Sequence, residues 1–157
     1  MLIEHGADPT AQTSDGSTQL HIASQRGQVD VARMLIEHGA DLTAQTDDGS
    51  TPLHIASKNG RVDVACMLIE HGADLTAQNI DGETPLHLAS APPRWVWISP
   101  QKYAEAVHIL LEHGADVNAR NKNGLNPFVL ASQRGFAEII HVLVRYGIDS
   151  GAHDNAN

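Results

Sequence analysis

Aromatic side chains are missing from the first part of this chain. Residues 1–94 contain none, and all six (Trp95, Trp97, Tyr103, Phe128, Phe136 and Tyr146) follow. The single cysteine, Cys66, excludes an internal disulfide framework and fits a reducing compartment. Positive charge is scarce: 10 Lys and Arg stand against 19 Asp and Glu, a net charge of −9 over 157 residues. Phosphate backbones are held mainly by Lys and Arg, so no nucleic-acid partner is expected. No apolar run approaches the ~18 residues of a membrane-spanning helix. The start, "MLIEHGADPT", lacks the basic-then-apolar pattern of a secretory leader. These absences predict a protein of the cytoplasm, compatible with the nucleus, and no membrane partner. Also missing are H-E-x-x-H, G-x-S-x-G, a phosphate-cradling glycine loop and a CxxC pair. The expectation is therefore no enzyme, no catalytic or metal site, and no cofactor.

What is present is repetition, which takes priority over local structure. "MLIEHGAD" begins at residues 1, 34 and 67, a step of 33; "ILLEHGAD" begins at 109, a step of 42; "VLVRYGID" follows at 142, again 33. A second block moves in phase: "TQLHIA" from 18, "TPLHIA" from 51, "TPLHLA" from 84 and "NPFVLA" from 126. The long step carries nine extra residues, all within "ASAPPRWVWISPQKYAEAV" (89–107).

Each block has a local reason. Thr51 can cap a helix whose first position is Pro52, where the missing N–H costs nothing. Leu53 and Ala56 fall on one face, and Gly60 ends that helix. A second helix is predicted from near Val62, with Val64, Ala65, Leu68 and Ile69 apolar at helical spacing and Gly72 suited to a left-handed cap. "ADLTAQNIDGET" reads as an extended connection with a tight turn at Asp81-Gly82. One such unit cannot bury its apolar face alone, whereas stacked units share a core.

The period, the T-P-L-H-x-A block and the G-A-D ending together resemble the ankyrin repeat over nearly the whole chain. The resemblance implies an all-α solenoid of helix–turn–helix layers with β-hairpin-like fingers and a concave partner surface. The expected units are 13–45, 46–78, 79–120 and 121–153, with a partial repeat at 1–12, a stub at 154–157 and an inserted loop at about 91–102. Met1 shares a column with Met34 and Met67, and neither end carries a polar capping repeat. A piece of a longer array, prone to self-association through its uncapped ends, is the favoured reading.

Ten histidines invite a metal or catalytic account. The resemblance implies that His21, His54 and His87 bond within and between repeats. His5, His38, His71 and His113 precede a capping glycine at a helix end, where a cation is favoured. Arg33, Cys66, His108 and His141 share a column expected on the outer face of the second helices. Neighbouring helices lie ~8–10 Å apart, too far for a closed zinc site. Asn118, in "DVNA", matches a position that is hydroxylated in some members of the family; its plainer role is a turn-stabilising amide.

The function expected is a protein–protein interaction or scaffold module; the alternative is a regulatory or targeting segment of a larger enzyme, receptor or channel, and a plain spacer is a third reading. Repeats one and two are near copies, and the pairs Gln25/Lys58 and Arg26/Asn59 differ at the end of the first helix, which the resemblance turns into the groove. Finger tips extend that surface: Ser14, Asp15, Ser17, Asp47, Asp48, Ser50, Ile80, Asp81, Glu83, Lys122 and Leu125. Acidic tips in the first three of these fingers favour a basic or polar partner. Gln133, Arg134 and Tyr146 complete the candidate contacts in the divergent fourth unit. In the insertion, Pro92, Pro93 and Pro100 are expected to bar extension of either helix. Trp95 and Trp97 alternate with Val96 and Ile98, so Arg94, Trp95 and Trp97 form a second candidate contact.

Overall fold

The computed structural model describes residues 11–94 and 98–148. Their helices come in pairs: α1 (Gln19–Arg26) with α2 (Val29–Glu37), α3 (Pro52–Lys58) with α4 (Val62–Glu70), α5 (Pro85–Ser90) with α6 (Pro100–Glu112), and α7 (Pro127–Arg134) with α8 (Ala137–Leu143). First helices pack on first helices along the row α1, α3, α5, α7, and second helices on second helices along α2, α4, α6, α8. This is the expected all-α solenoid.

The first helices have six to eight residues, too few to persist alone. Their ends and one apolar face decide them. Thr18, Thr51 and Thr84 each accept from the backbone N–H three residues on, and the histidine there closes the box by accepting from the cap's own N–H. Leu20, Leu53 and Leu86, with Ala23, Ala56 and Ala89, are buried in the shared core. The second row contributes Leu35, Leu68, Leu110, Ile139 and Leu143 to the same core. Second helices end as the glycine columns predicted: Gly39, Gly72 and Gly114 have φ of 93°, 93° and 100°. Past each, Ala40, Ala73 and Ala115 donate back to Leu35, Leu68 and Leu110.

The fingers differ from the hairpin expectation. Among the described residues the only β pairing is a single bridge, Gln12 with Thr18. Each finger is a closed turn instead: Thr46 N–H donates to the Ser50 carbonyl, Asn79 to Glu83 and Asn121 to Leu125, at 3.0 Å each. Successive fingers are joined by one backbone bond apiece, Asp47 to the Asp15 carbonyl, Ile80 to Asp48 and Lys122 to Asp81, all 2.9 Å. One bond per finger is too little for a ladder, and side chains supply the rest. Asp15 and Asp48 carboxylates accept the N–H of Ser17 and Ser50, and the Asn79 and Asn121 side-chain carbonyls each take two backbone donors.

The insertion also corrects an expectation. Pro100 does not bar a longer second helix; it starts one. α6 runs 13 residues against nine for α4; inserted residues 100–102, with Tyr103, form its first turn. Proline is tolerated at the first helical position, because no intrahelical partner awaits its N–H there. Ile98 packs half-buried against the core, and Tyr103 is fully buried. The alternation expected of Trp95, Val96 and Trp97 lies outside the described residues.

Candidate protein-binding groove

The finger turns and the first helices meet at a groove over the first two complete units. One wall is made by Asp15, Ser17, Thr46, Asp47 and Asp48, the other by Gln25, Ile55, Lys58 and Asn59, around a volume of about 350 Å³. The sequence placed Gln25, Lys58, Asn59, Asp47 and Asp48 on a common surface, and the fold brings those five together here. The acidic wall is fixed rather than floppy. Asp15 is held by the Thr13 hydroxyl and the Ser17 N–H, Asp48 by the Thr46 hydroxyl and the Ser50 N–H. The Thr13 hydroxyl, followed by the Ser17 bonds, holds the Asp15 carboxyl below its ordinary range. Burial alone would raise Asp48, but the Thr46 and Ser50 bonds outweigh it, and its carboxyl too is lowered. Both carboxylates are therefore ionised and already oriented, which cuts the ordering cost of binding.

The remaining candidates lie elsewhere. Ile80 stands exposed (55%) at the tip of the third finger, where Glu83 lends its carbonyl to His54. Lys122 is exposed on the fourth finger, and the Leu125 carbonyl receives His87. Arg26 and Gln133 are exposed at the ends of α1 and α7. Arg94 and Arg134 hold each other's segments: the Arg134 guanidinium donates to the Pro92 carbonyl at 3.2 Å, and Arg94 donates to the Arg134 carbonyl at 3.5 Å. Tyr146 belongs to the second-helix side, where its hydroxyl meets His108 Nδ1 at 2.9 Å. Trp95 and Trp97 lie outside the described residues.

The histidines are structural in detail. His54 Nδ1 accepts from the Thr51 N–H at 3.1 Å, so the ring proton sits on Nε2, which donates to the Glu83 carbonyl of the next finger at 2.8 Å. His21 reaches Ser50 and His87 reaches Leu125 in the same way. Burial is the largest influence on all three and keeps each ring's pKa below its ordinary value, partly offset by those carbonyls. His38, His71 and His113 fold back onto carbonyls of their own helices, those of Met34, Met67 and Ile109, each at 2.8 Å. In the outer column, His108 is engaged by Tyr146 and Glu112 while His141 is exposed. Among the described residues no three His, Cys, Asp or Glu side chains come together as metal ligands. Burial, followed by the Glu70 carboxylate, pushes the Cys66 thiol up, away from reactive thiolate. Asn118 supplies its backbone N–H to Asp116.

One set of contacts was not foreseen. Arg61, at the start of α4, lays its side chain over Gly27 and donates from Nε to the Gln25 carbonyl at 2.9 Å. Allowing for the 42-residue step, Tyr103 occupies the same column, and its hydroxyl donates to the Lys58 carbonyl at 3.1 Å. Aligning the repeats through the insertion would have exposed this column; the unequal spacing hid it.

Two overlapping matches to the family described as ankyrin repeats (3 copies) cover residues 1–79 and 76–154. The chain belongs to the ankyrin-repeat family. No match to it is found among curated proteins. Ankyrin repeats generally serve as protein–protein interaction modules and are typically non-catalytic. No described helix of this ankyrin array is long and apolar enough to cross a membrane.

Proposed function

We propose that this ankyrin array is a recognition or scaffold module that holds a protein partner in the groove between its first two fingers and the ends of α1 and α3. The observation that carries the reading is the convergence of Asp47, Asp48, Gln25, Lys58 and Asn59 on one open cleft. The fixed Asp15 and Asp48 carboxylates, with Asp47 beside them, favour a partner segment bearing Lys or Arg, with Lys58 and the amides supplying register on the opposite wall. Finger tips Ile80, Glu83, Lys122 and Leu125 extend the contact along the row. Arg94, Trp95 and Trp97 provide a second point near the insertion.

A charge reversal tests this. Partner retention on immobilised protein is compared for the parent, for Asp47→Lys with Asp48→Lys, and for Glu37→Lys on the outer helix as the control. The reading requires that the groove variant lose the partner while the control keeps it; equal retention by all three would defeat it. Trp95→Ala and Trp97→Ala in the same assay weigh the second point.

A further inference from the structure

The first helices α1 and α3 are closed by Gly27 and by Asn59-Gly60, but one carbonyl near each end is served from outside. The last carbonyls of α1 and α3 have no intrahelical partner, as at any helix end. In each case the next unit provides one, from the start of its second helix: Arg61 precedes α4 and Tyr103 lies in the first turn of α6. Arg61 serves Gln25, and Tyr103 serves Lys58. The glycines after α1 and α3 make room for the visiting side chain. A Cβ at Gly27 would lie 2.9 Å from Arg61 Cδ, and one at Gly60 would lie 3.2 Å from Tyr103 Cζ and from Ile98 Cγ2.

In the third unit this visitor is an aromatic rather than a cation. Tyr103 is fully buried, with Ile98, Pro92, Pro93, Arg94, Pro100 and Phe136 lining the small space beside it. Those residues come from the insertion and from the fourth unit. The extra turn at the start of α6 brings Pro100 and Ile98 over the ring, so the insertion closes a pocket around Tyr103 that a short turn would leave open. Its hydroxyl then ends up on the carbonyl of Lys58, the residue whose side chain forms one wall of the groove.

We infer that Tyr103 is a positioning residue for the groove: seated by the inserted segment, its hydroxyl fixes the Lys58–Asn59 end of α3 from behind, so the insertion shapes the recognition surface without having to touch what binds there. The groove's role rests on the function proposed above, but the positioning does not. It is a property of the free protein, and its test needs no partner.

The test is a crossed pair of variants read by NMR. Tyr103→Phe keeps the ring and removes the hydroxyl; Arg61→Leu removes the equivalent bond one unit earlier. Tyr103→Phe is expected to move the Lys58 carbonyl resonance and to speed amide exchange at Asn59 and Gly60 by about two- to tenfold, the range for one lost hydrogen bond. The Gln25 carbonyl should stay in place. Arg61→Leu should give the reverse, a shifted Gln25 carbonyl and an unmoved Lys58. Unchanged Lys58 signals in Tyr103→Phe, or changes spread evenly over all units with a lowered Tm, would overturn the inference. Should Tyr103→Phe fail to fold, the temperature dependence of the Lys58 carbonyl shift in the parent decides: steady where the bond holds, drifting like a solvent-exposed carbonyl where it does not.

Discussion

Replacing His54 by Leu is the sharpest probe of what ties one layer to the next. The ring is fully buried, and Leu fills a similar volume, so the packing term changes little. Three contacts disappear: that to the Glu83 carbonyl and those of Nδ1 with the Thr51 N–H and the Thr51 hydroxyl. Glu83 keeps the Asn79 N–H as a donor, whereas the buried Thr51 N–H is left without its acceptor. One orphaned buried donor costs about 1–3 kcal/mol and the lost carbonyl bond about 1 kcal/mol, so the expected loss is about 2–4 kcal/mol. Urea unfolding followed by far-UV circular dichroism at pH 7.5 measures it. The same series at lower pH adds a second signature. Burial lowers the folded-state pKa of His21, His54 and His87, so their stabilisation is complete above the unfolded value near 6.5 and is lost as pH falls through it toward the folded values. The parent should weaken from pH 7 to pH 5, by up to about 1.4 kcal/mol per pH unit for each ring. His54→Leu should show a shallower decline, with one titrating ring fewer. A stability within about 0.5 kcal/mol of the parent, with an unaltered pH slope, would refute the inter-layer role.

Other consequences are checked by the same unfolding assay. Gly82→Ala and Gly72→Ala both force a left-handed residue (φ 75° and 93°), costing about 1–2 kcal/mol each. Only at Gly82 would the new Cβ lie 2.8 Å from a neighbouring finger's backbone, the Lys122 nitrogen, so Gly82→Ala should show the lower urea midpoint. Thr84→Ala removes the cap of α5 and should cost about 1–2 kcal/mol. Leu110→Ala, at a fully buried position of the second row, should cost about 2–5 kcal/mol.

Much of this was legible because the same physical solution is written several times. Thr51-Pro52 announces a helix start, Gly72 a helix end, and the 33-residue step announces layers that bury Leu53 against Leu20 and Leu86. The groove followed from the same logic, since Gln25 and Lys58 occupy one column at the open end of the first helices. What escaped depended on unrepeated geometry. Pro100 could be read as a breaker or as a first residue, and only the turn before it decides. Arg94 and Arg134 look like free cations in sequence, yet each finds a backbone carbonyl across the row. Tyr146 stands where earlier units have His, but it reaches the previous layer's His108 instead of its own helix. Tyr103 was hidden because the insertion displaced it from Arg61's register.

Site-specific photo-crosslinking most directly tests whether the groove is where a partner is met. A photoreactive residue at position 58 faces the cleft, and one at position 66 sits on the second-helix side. Cross-links to a captured partner from position 58 and none from 66 are the predicted result. Cross-links from 66 with none from 58 would contradict it.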